Sequence, residues 1–260
     1  MMRNFRLIPV SFIALLGGML TSLAYISNPS GVIKLSDLVL CLSGNRPSVS
    51  VLDLLSLSSL YLPLYIFCAI SGSNLYRHFC AASVYIFSRQ PNRLKWYVRE
   101  LFSLSFAVII YQSVFLAASF WTTQVNLKIE FEWSGMILLI YHFAIQFLWT
   151  CSLSLIINMF SIWFGSDLGY AFGIGLNMLL ITLLTVPGLL EINPASRLVF
   201  GWHRSENTLL GSVLNNSEHA LNINVSVSYM MVLTLTLAIF VGIVVNRHDL
   251  LISNKETGGV

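Results

Sequence analysis

Charge is scarce in this sequence. Only 10% of its 260 residues are Asp, Glu, Lys or Arg, against roughly 25% in an ordinary soluble domain. With 56% hydrophobic residues and a mean hydropathy of +0.78, too little polar surface is left to dissolve a folded chain, so a soluble enzyme is excluded. The formal net charge of +3 is too slight to hold a polyanion, and no nucleic-acid partner is expected. Cysteine is nearly missing as chemistry. Cys41, Cys68, Cys80 and Cys151 show no CxxC or metal-ligand spacing, which argues against a disulfide framework or zinc site and leaves them as small hydrophobes. No GxxxxGK[ST] loop, HExxH, GxSxG or paired-carboxylate pattern occurs, so the chain carries no catalytic machinery of its own, and any ATP must be handled elsewhere. No internal repeat supports an inverted-repeat carrier, and no Asp, Glu, Lys or Arg sits in the middle of an apolar run, where an ion-coupled carrier usually keeps one.

What is present is a series of apolar runs of about 20 residues, the length that crosses a hydrocarbon core of roughly 30 Å. They predict an all-α membrane protein, a single transmembrane domain over residues 1–260 with six transmembrane helices. The expected spans are 7–26, 54–70, 101–121, 136–159, 169–190 and 225–245, with outer loops at 28–53, 122–135 and 191–224. The first run follows Arg3 and Arg6 like a signal peptide, but lacks a small-residue cleavage site and reads as an uncleaved span. In the loop after it, Val32, Leu35, Leu38, Val39 and Leu42 recur opposite Lys34 and Asp37, which suggests a helix lying on the outer leaflet.

Basic residues set the orientation. With the N-terminus inside, nine face the cytoplasm (Arg3, Arg6, Arg77, Arg89, Arg93, Lys95, Arg99, Arg247, Lys255) and five face outward (Lys34, Arg46, Lys128, Arg197, Arg204), accounting for all fourteen. A plasma-membrane protein with both termini cytoplasmic is therefore expected.

The most basic stretch is the inner elbow, 74–100. Leu75, Phe79, Ala82 and Ile86 recur at helical spacing and predict a helix over 74–88, which Pro91 ends while starting the next. Arg89, Arg93, Lys95 and Arg99 form a basic face, and Trp96 and Tyr97 stand where aromatics anchor helices at an interface. Composition alone accounts for this as a positive-inside loop with an aromatic belt. Within the spans, Gln112, His142, Gln146, Asn158 and Asn177 are candidate pathway-lining residues, or interhelical hydrogen-bonding groups. His142 and Gln146 share a helix face. Gly169, Gly173 and Gly175 predict a close helix approach in span five.

An amphipathic, Tyr-containing helix, then Ser88-Arg89-x-Pro91-x-Arg93-x-x-Trp96-Tyr97, then a long apolar span resembles the cytoplasmic elbow of ABC-2 type permeases of ATP-binding-cassette transporters, especially small bacterial ones tied to peptide or bacteriocin export and self-immunity. The likeness is concentrated in Tyr85 to Arg99. The resemblance implies that the elbow is a coupling helix between spans two and three, docking on a separate ATPase through Tyr85, Phe87, Ser88, Arg89, Asn92 and Arg93, with Trp96 setting the height of span three and Tyr97 and Arg99 completing the face. It further implies two ATPase copies holding ATP and magnesium, a second permease half, identical or not, and an amphiphilic peptide or lipid as cargo. The alternative is a non-transporting scaffold, assembly factor or sensor whose basic elbow binds anionic lipid.

Overall fold

The computed structural model describes residues 7–44, 51–85, 92–214 and 221–247, without side chains at Leu7, 51–54 and 81–85. Helix α1 (Leu7–Tyr25) leads through a turn to β1 (Val32–Lys34) and α2 (Leu35–Leu42). Next come α3 (Val51–Leu60), α4 (Leu62–Phe67), a π-turn at Cys68–Gly72 and α5 (Asn74–Tyr85). The long helices α6 (Arg93–Asn126) and α7 (Trp133–Phe164) are joined through β2 (Lys128–Glu130), and α8 (Ser166–Thr182) returns beside α7. A cap of 3-10 turns, β3 (His203–Arg204), α9 (Thr208–Leu214) and β4 (Leu221–Asn222) precedes α10 (Ile223–Arg247).

Among the described residues five helices are long and apolar enough to cross a bilayer: α1, α6, α7, α8 with its 3-10 extension to Thr185, and α10. Their outward faces carry Phe12, Leu20, Phe102, Trp121, Ile140, Leu179 and Leu235, while Gln112, His142, Gln146, Asn158 and Asn177 are all buried. Apolar outside and polar inside is the make-up of a multi-pass membrane protein. At the centre stands α7, buried on every side from Trp149 to Met159. One end of the bundle, the cap end, carries the parallel β1–β2 and β3–β4 pairs. The other, the elbow end, carries α5, the start of α6 and the α7–α8 turn, where Gly165 takes φ 90°.

Small residues set the closest approaches. Gly18 lies against Ala118 and Ser119 of α6, where a Cβ would come within 2.9 Å of the Ala118 Cβ, and Gly17 lies against Pro63. Gly169 and Gly173 seat α8 on Ser161 and Ile157 of α7. Gly175, in contrast, has nothing within 4 Å and takes no part in the contact.

Three expectations change. The run 54–70 is not one straight helix: it is interrupted at Tyr61 and again by the π-turn, because Pro63 brings no N–H to the first turn of α4 and Gly72 adds no side chain to hold the helix in register. Helix α2 does not lie on the surface. Leu35, Leu38, Val39 and Leu42 are all buried, since Gly135 makes a notch in α7 that admits Leu35 and the Ser36 backbone. The Ser36 hydroxyl bonds Glu132 and the Ser43 hydroxyl meets His142 at 2.8 Å, so α2 descends beside α7. Finally, α6 begins at Arg93 as Pro91 leads one to expect but continues past residue 121 to Asn126, and α7 extends past both of its expected bounds.

Candidate functional site

The interrupted segment 51–72 passes beside α7 from Gln146 to Asn158, and the buried polar residues gather along it. The Tyr61 hydroxyl hydrogen-bonds the Gln146 side chain. Gln112 reaches across from α6 and donates to Thr150 Oγ1 at 3.2 Å, which itself donates to the Gln146 carbonyl at 2.7 Å. Tyr61, Tyr111, Gln112, His142 and Gln146 line one cavity of about 30 Å³ with leucines and Phe115. A cavity needs roughly 10–15 Å³ per water, so this chamber admits one or two. Gln146 lies thirteen residues into α7, about 20 Å from its cap-end start and thus toward the middle of the helix.

Lower down, the polar residues serve the broken backbone. Asn177 Nδ2 donates to the Tyr65 hydroxyl at 2.6 Å, and the Tyr170 hydroxyl donates to the Tyr65 carbonyl at 3.0 Å. Asn158 bridges the π-turn: its amide nitrogen donates to the Gly72 carbonyl, and its Oδ1 accepts from the Tyr76 N–H at 2.8 Å. A side chain thus replaces bonds that a continuous helix would make for itself. Of the five candidate pathway residues, Gln112, His142 and Gln146 meet at the chamber, whereas Asn158 and Asn177 hold the interruption. Asn177 Oδ1 is buried without a partner. Tyr61, Tyr65, Tyr111 and Tyr170 were hidden in apolar runs, though two tyrosines four apart flanking Pro63 were a visible signal.

At the cap end, Arg197 is only 6% exposed and donates to the Glu191 carbonyl at 2.5 Å and to Ser226 Oγ at 3.2 Å, with its guanidinium 5.3 Å from the Tyr229 ring centre. His203 is fully buried, with Nδ1 3.1 Å from the Val199 carbonyl and Nε2 2.9 Å from Ser226 Oγ. Burial first, and then the neighbouring guanidinium, push its pKa down to about 4. The neutral ring donates to Val199 and accepts from Ser226, pinning the cap to α10.

At the elbow end, Phe87, Ser88, Arg89 and Pro91, and the Tyr85 side chain, lie outside the described residues, as do Arg3, Arg6 and Arg46. Asn92 caps α6, its Oδ1 accepting from the Lys95 N–H at 3.0 Å. Arg93 reaches the Asn246 carbonyl of α10. Trp96 and Tyr97 are buried within the bundle: Trp96 packs on Phe79, and the Tyr97 hydroxyl donates to the Ala238 carbonyl at 2.6 Å over the notch at Gly242. They tie helices together instead of forming an outward aromatic belt. His78 and Glu100 meet at 2.8 Å, clasping α5 to α6. Lys95 and Arg99 are exposed on one face with Leu94 and Val98. Among the described residues no cluster of His, Cys, Asp and Glu could hold a metal. No protein-family model, curated protein or solved structure matches the chain.

Proposed function

We propose that this chain is the membrane-spanning subunit of an ATP-driven exporter of the ABC-2 type, in which residues 51–72 complete a sixth crossing and both termini are cytoplasmic. The supporting observation is mechanical continuity at the elbow end. Helix α5 is clasped to α6 by His78–Glu100 and Phe79–Trp96, and its first turn is bonded to α7 through Tyr76 and Asn158. A soluble ATPase seated on Lys95, Arg99 and the neighbouring basic residues would therefore move three helices as one body when it closes on ATP. Nucleotide and magnesium belong to that partner, present in two copies, and a second permease half completes the pathway. An amphiphilic peptide or lipid suits apolar walls with few hydrogen-bonding groups.

A second reading has its own observation. Leu94, Val98 and Phe102 form an exposed apolar stripe beside Lys95 and Arg99, an arrangement that also suits an anionic lipid surface, and a scaffold or sensor would need no more. The deciding experiment is affinity purification of the full chain from its native host, beside the Lys95→Glu/Arg99→Glu variant. Both residues are exposed, Arg99 meeting Glu100 only at 3.9 Å, and the melting profile of the variant beside the wild type checks that the bundle stays intact. The exporter reading expects a soluble ATPase to co-purify with the wild type and to be lost from the variant. If no ATPase is recovered, or if the variant loses only its binding to anionic vesicles, the exporter reading falls.

A further inference from the structure

Helix α2 enters the bundle from the cap end and stops inside it. Leu35 and the Ser36 backbone sit against Gly135, and Ser43, the C-cap, meets His142, nine residues and about 14 Å below the start of α7. Gly44, at φ 74°, turns the chain out of the helix there. The last carbonyls of α2 therefore point into the interior, and Leu42 lines the chamber that Tyr61, Tyr111, Gln112, His142 and Gln146 share. The C-terminal end of a helix carries a partial negative charge, up to about half a unit. In a buried chamber little screens it.

Three polar groups of the lining, on side chains only 2–5% exposed, have no hydrogen-bond partner among the described residues. Ser43 Oγ gives its one proton to the Val39 carbonyl at 2.8 Å, so it accepts from His142 Nδ1 at 2.8 Å and leaves the ring's Nε2 with its lone pair. Gln112 donates to Thr150 through Nε2, which leaves its Oε1. The Tyr111 hydroxyl is the third. Donors are present as well, in the Tyr111 proton, the second N–H of Gln112 and the Gln146 amide, so hydrogen bonding alone suits a water as well as an ion. Charge decides between them. The α2 end is negative, no Lys, Arg, Asp or Glu lines the chamber, and the rings of Tyr61, Tyr111 and Phe115 favour a cation over an anion. A divalent cation would ask for carboxylates, and the lining has none. The volume of about 30 Å³ admits one small ion with a water. We infer that the chamber binds a single monovalent metal cation, sodium or potassium, held by the α2 end, the Tyr61 and Tyr111 hydroxyl oxygens, Gln112 Oε1 and His142 Nε2. This donor set is mostly neutral oxygen, unlike the His, Cys and carboxylate clusters that hold transition metals. The ion pins the interrupted segment 51–72 to α2, α6 and α7. It needs no ATPase, so the inference stands apart from the exporter reading.

The test is thermal unfolding of the full chain in nanodiscs of zwitterionic lipid, in sodium, potassium or choline chloride at one pH and one ionic strength. Sodium or potassium should raise the midpoint saturably above that in choline, which is too large to enter, by about 3 °C or more at ten times the half-saturating concentration. Tyr111→Phe removes a hydroxyl that bonds no described residue, so its midpoint in choline should match the wild type while the half-saturating concentration rises about tenfold. A readout independent of any variant is equilibrium binding of radioactive sodium, or of rubidium as a stand-in for potassium, to the wild type, displaced by the unlabelled ion and not by choline. Equal midpoints in the three salts mean that the chamber holds water alone and overturn the inference. So does a metal-ion effect that is unmoved in Tyr111→Phe, or that magnesium reproduces at equal ionic strength.

Discussion

Replacing Asn158 with alanine tests whether one side chain holds the interrupted segment in place. Asn158 makes two bonds across the end of that segment, to the Gly72 carbonyl and from the Tyr76 N–H in the first turn of α5, and a third to Ser154 of its own helix. The third counts for little, since the Ser154 carbonyl lies in the helix ladder already. Side-chain hydrogen bonds between membrane helices average about 0.6 kcal/mol and reach about 1.7. The two cross-segment bonds therefore contribute about 1.2 kcal/mol, with a ceiling near 3.4. Asn177→Ala is the matched control. It is equally buried, so both substitutions leave a similar cavity, but it makes one bond, to Tyr65, and carries an unpartnered Oδ1 that the substitution removes. Reversible unfolding in bicelles should rank Asn158→Ala as the more costly by about 0.6 kcal/mol or more. Hydrogen exchange should rise at residues 72–79 in that variant alone. Equal costs for the two variants, or unchanged exchange across the π-turn, would refute the bridging role.

Other consequences can be measured in the same preparations. Gly18→Ala should destabilise the chain by about 1–3 kcal/mol, because the added methyl meets Ala118 and the Ser119 backbone; Gly175→Ala, with open space around it, should be neutral or slightly stabilising in the same unfolding assay. His203 should confer acid sensitivity: its folded pKa is lowered to about 4 from 6.5, so its contribution is complete above about pH 6.5 and is lost as the pH falls toward 4, by about 3 kcal/mol at most. Melting curves over that window should show a slope that His203→Gln reduces. An unchanged slope would mean that the ring takes up its proton without leaving its bonds to Val199 and Ser226.

Five of the six expected spans appear as long apolar helices, legible because lipid asks for one thing that composition records directly, an unbroken apolar face of sufficient length. What escaped were features decided by a partner helix. The alternation of Lys34 and Asp37 with leucines is the pattern of a surface helix, and only the notch at Gly135 explains why α2 sinks beside α7 instead. Trp96 and Tyr97 look like belt residues from their position after a basic run. The gap at Gly242 and the reach of Phe79 turn them inward. The site was half visible: His142 and Gln146 share a face, and both line the chamber with Gln112. Its tyrosines were not, because Tyr61 and Tyr111 count as apolar in a hydropathy sum while their hydroxyls act as polar groups once buried.

Where charge is so scarce, the manner in which the interruption is held bears on what it can do. Gln146, Asn158, Tyr170 and Asn177 contact the segment 51–76 through uncharged bonds from two different helices. A buried ion pair at the same place would resist displacement, because separating its partners leaves charges unsolvated. Several neutral bonds, each small, would be exchanged one at a time by a segment displaced along α7, with the nearby chamber admitting a water to hold a freed amide or hydroxyl. The segment is joined at its lower end to the clasped α5–α6 elbow and touches at its upper end the chamber beneath α2. On the exporter reading, a push at the elbow end would reach the chamber along a path whose resistance is set by weak, replaceable bonds. Substituting Tyr65, the shared partner of Asn177 and Tyr170, with phenylalanine tests that path: it removes the bond to Asn177 and spares the carbonyl that Tyr170 holds, so a response that travels through the segment should be altered while the bundle stays folded.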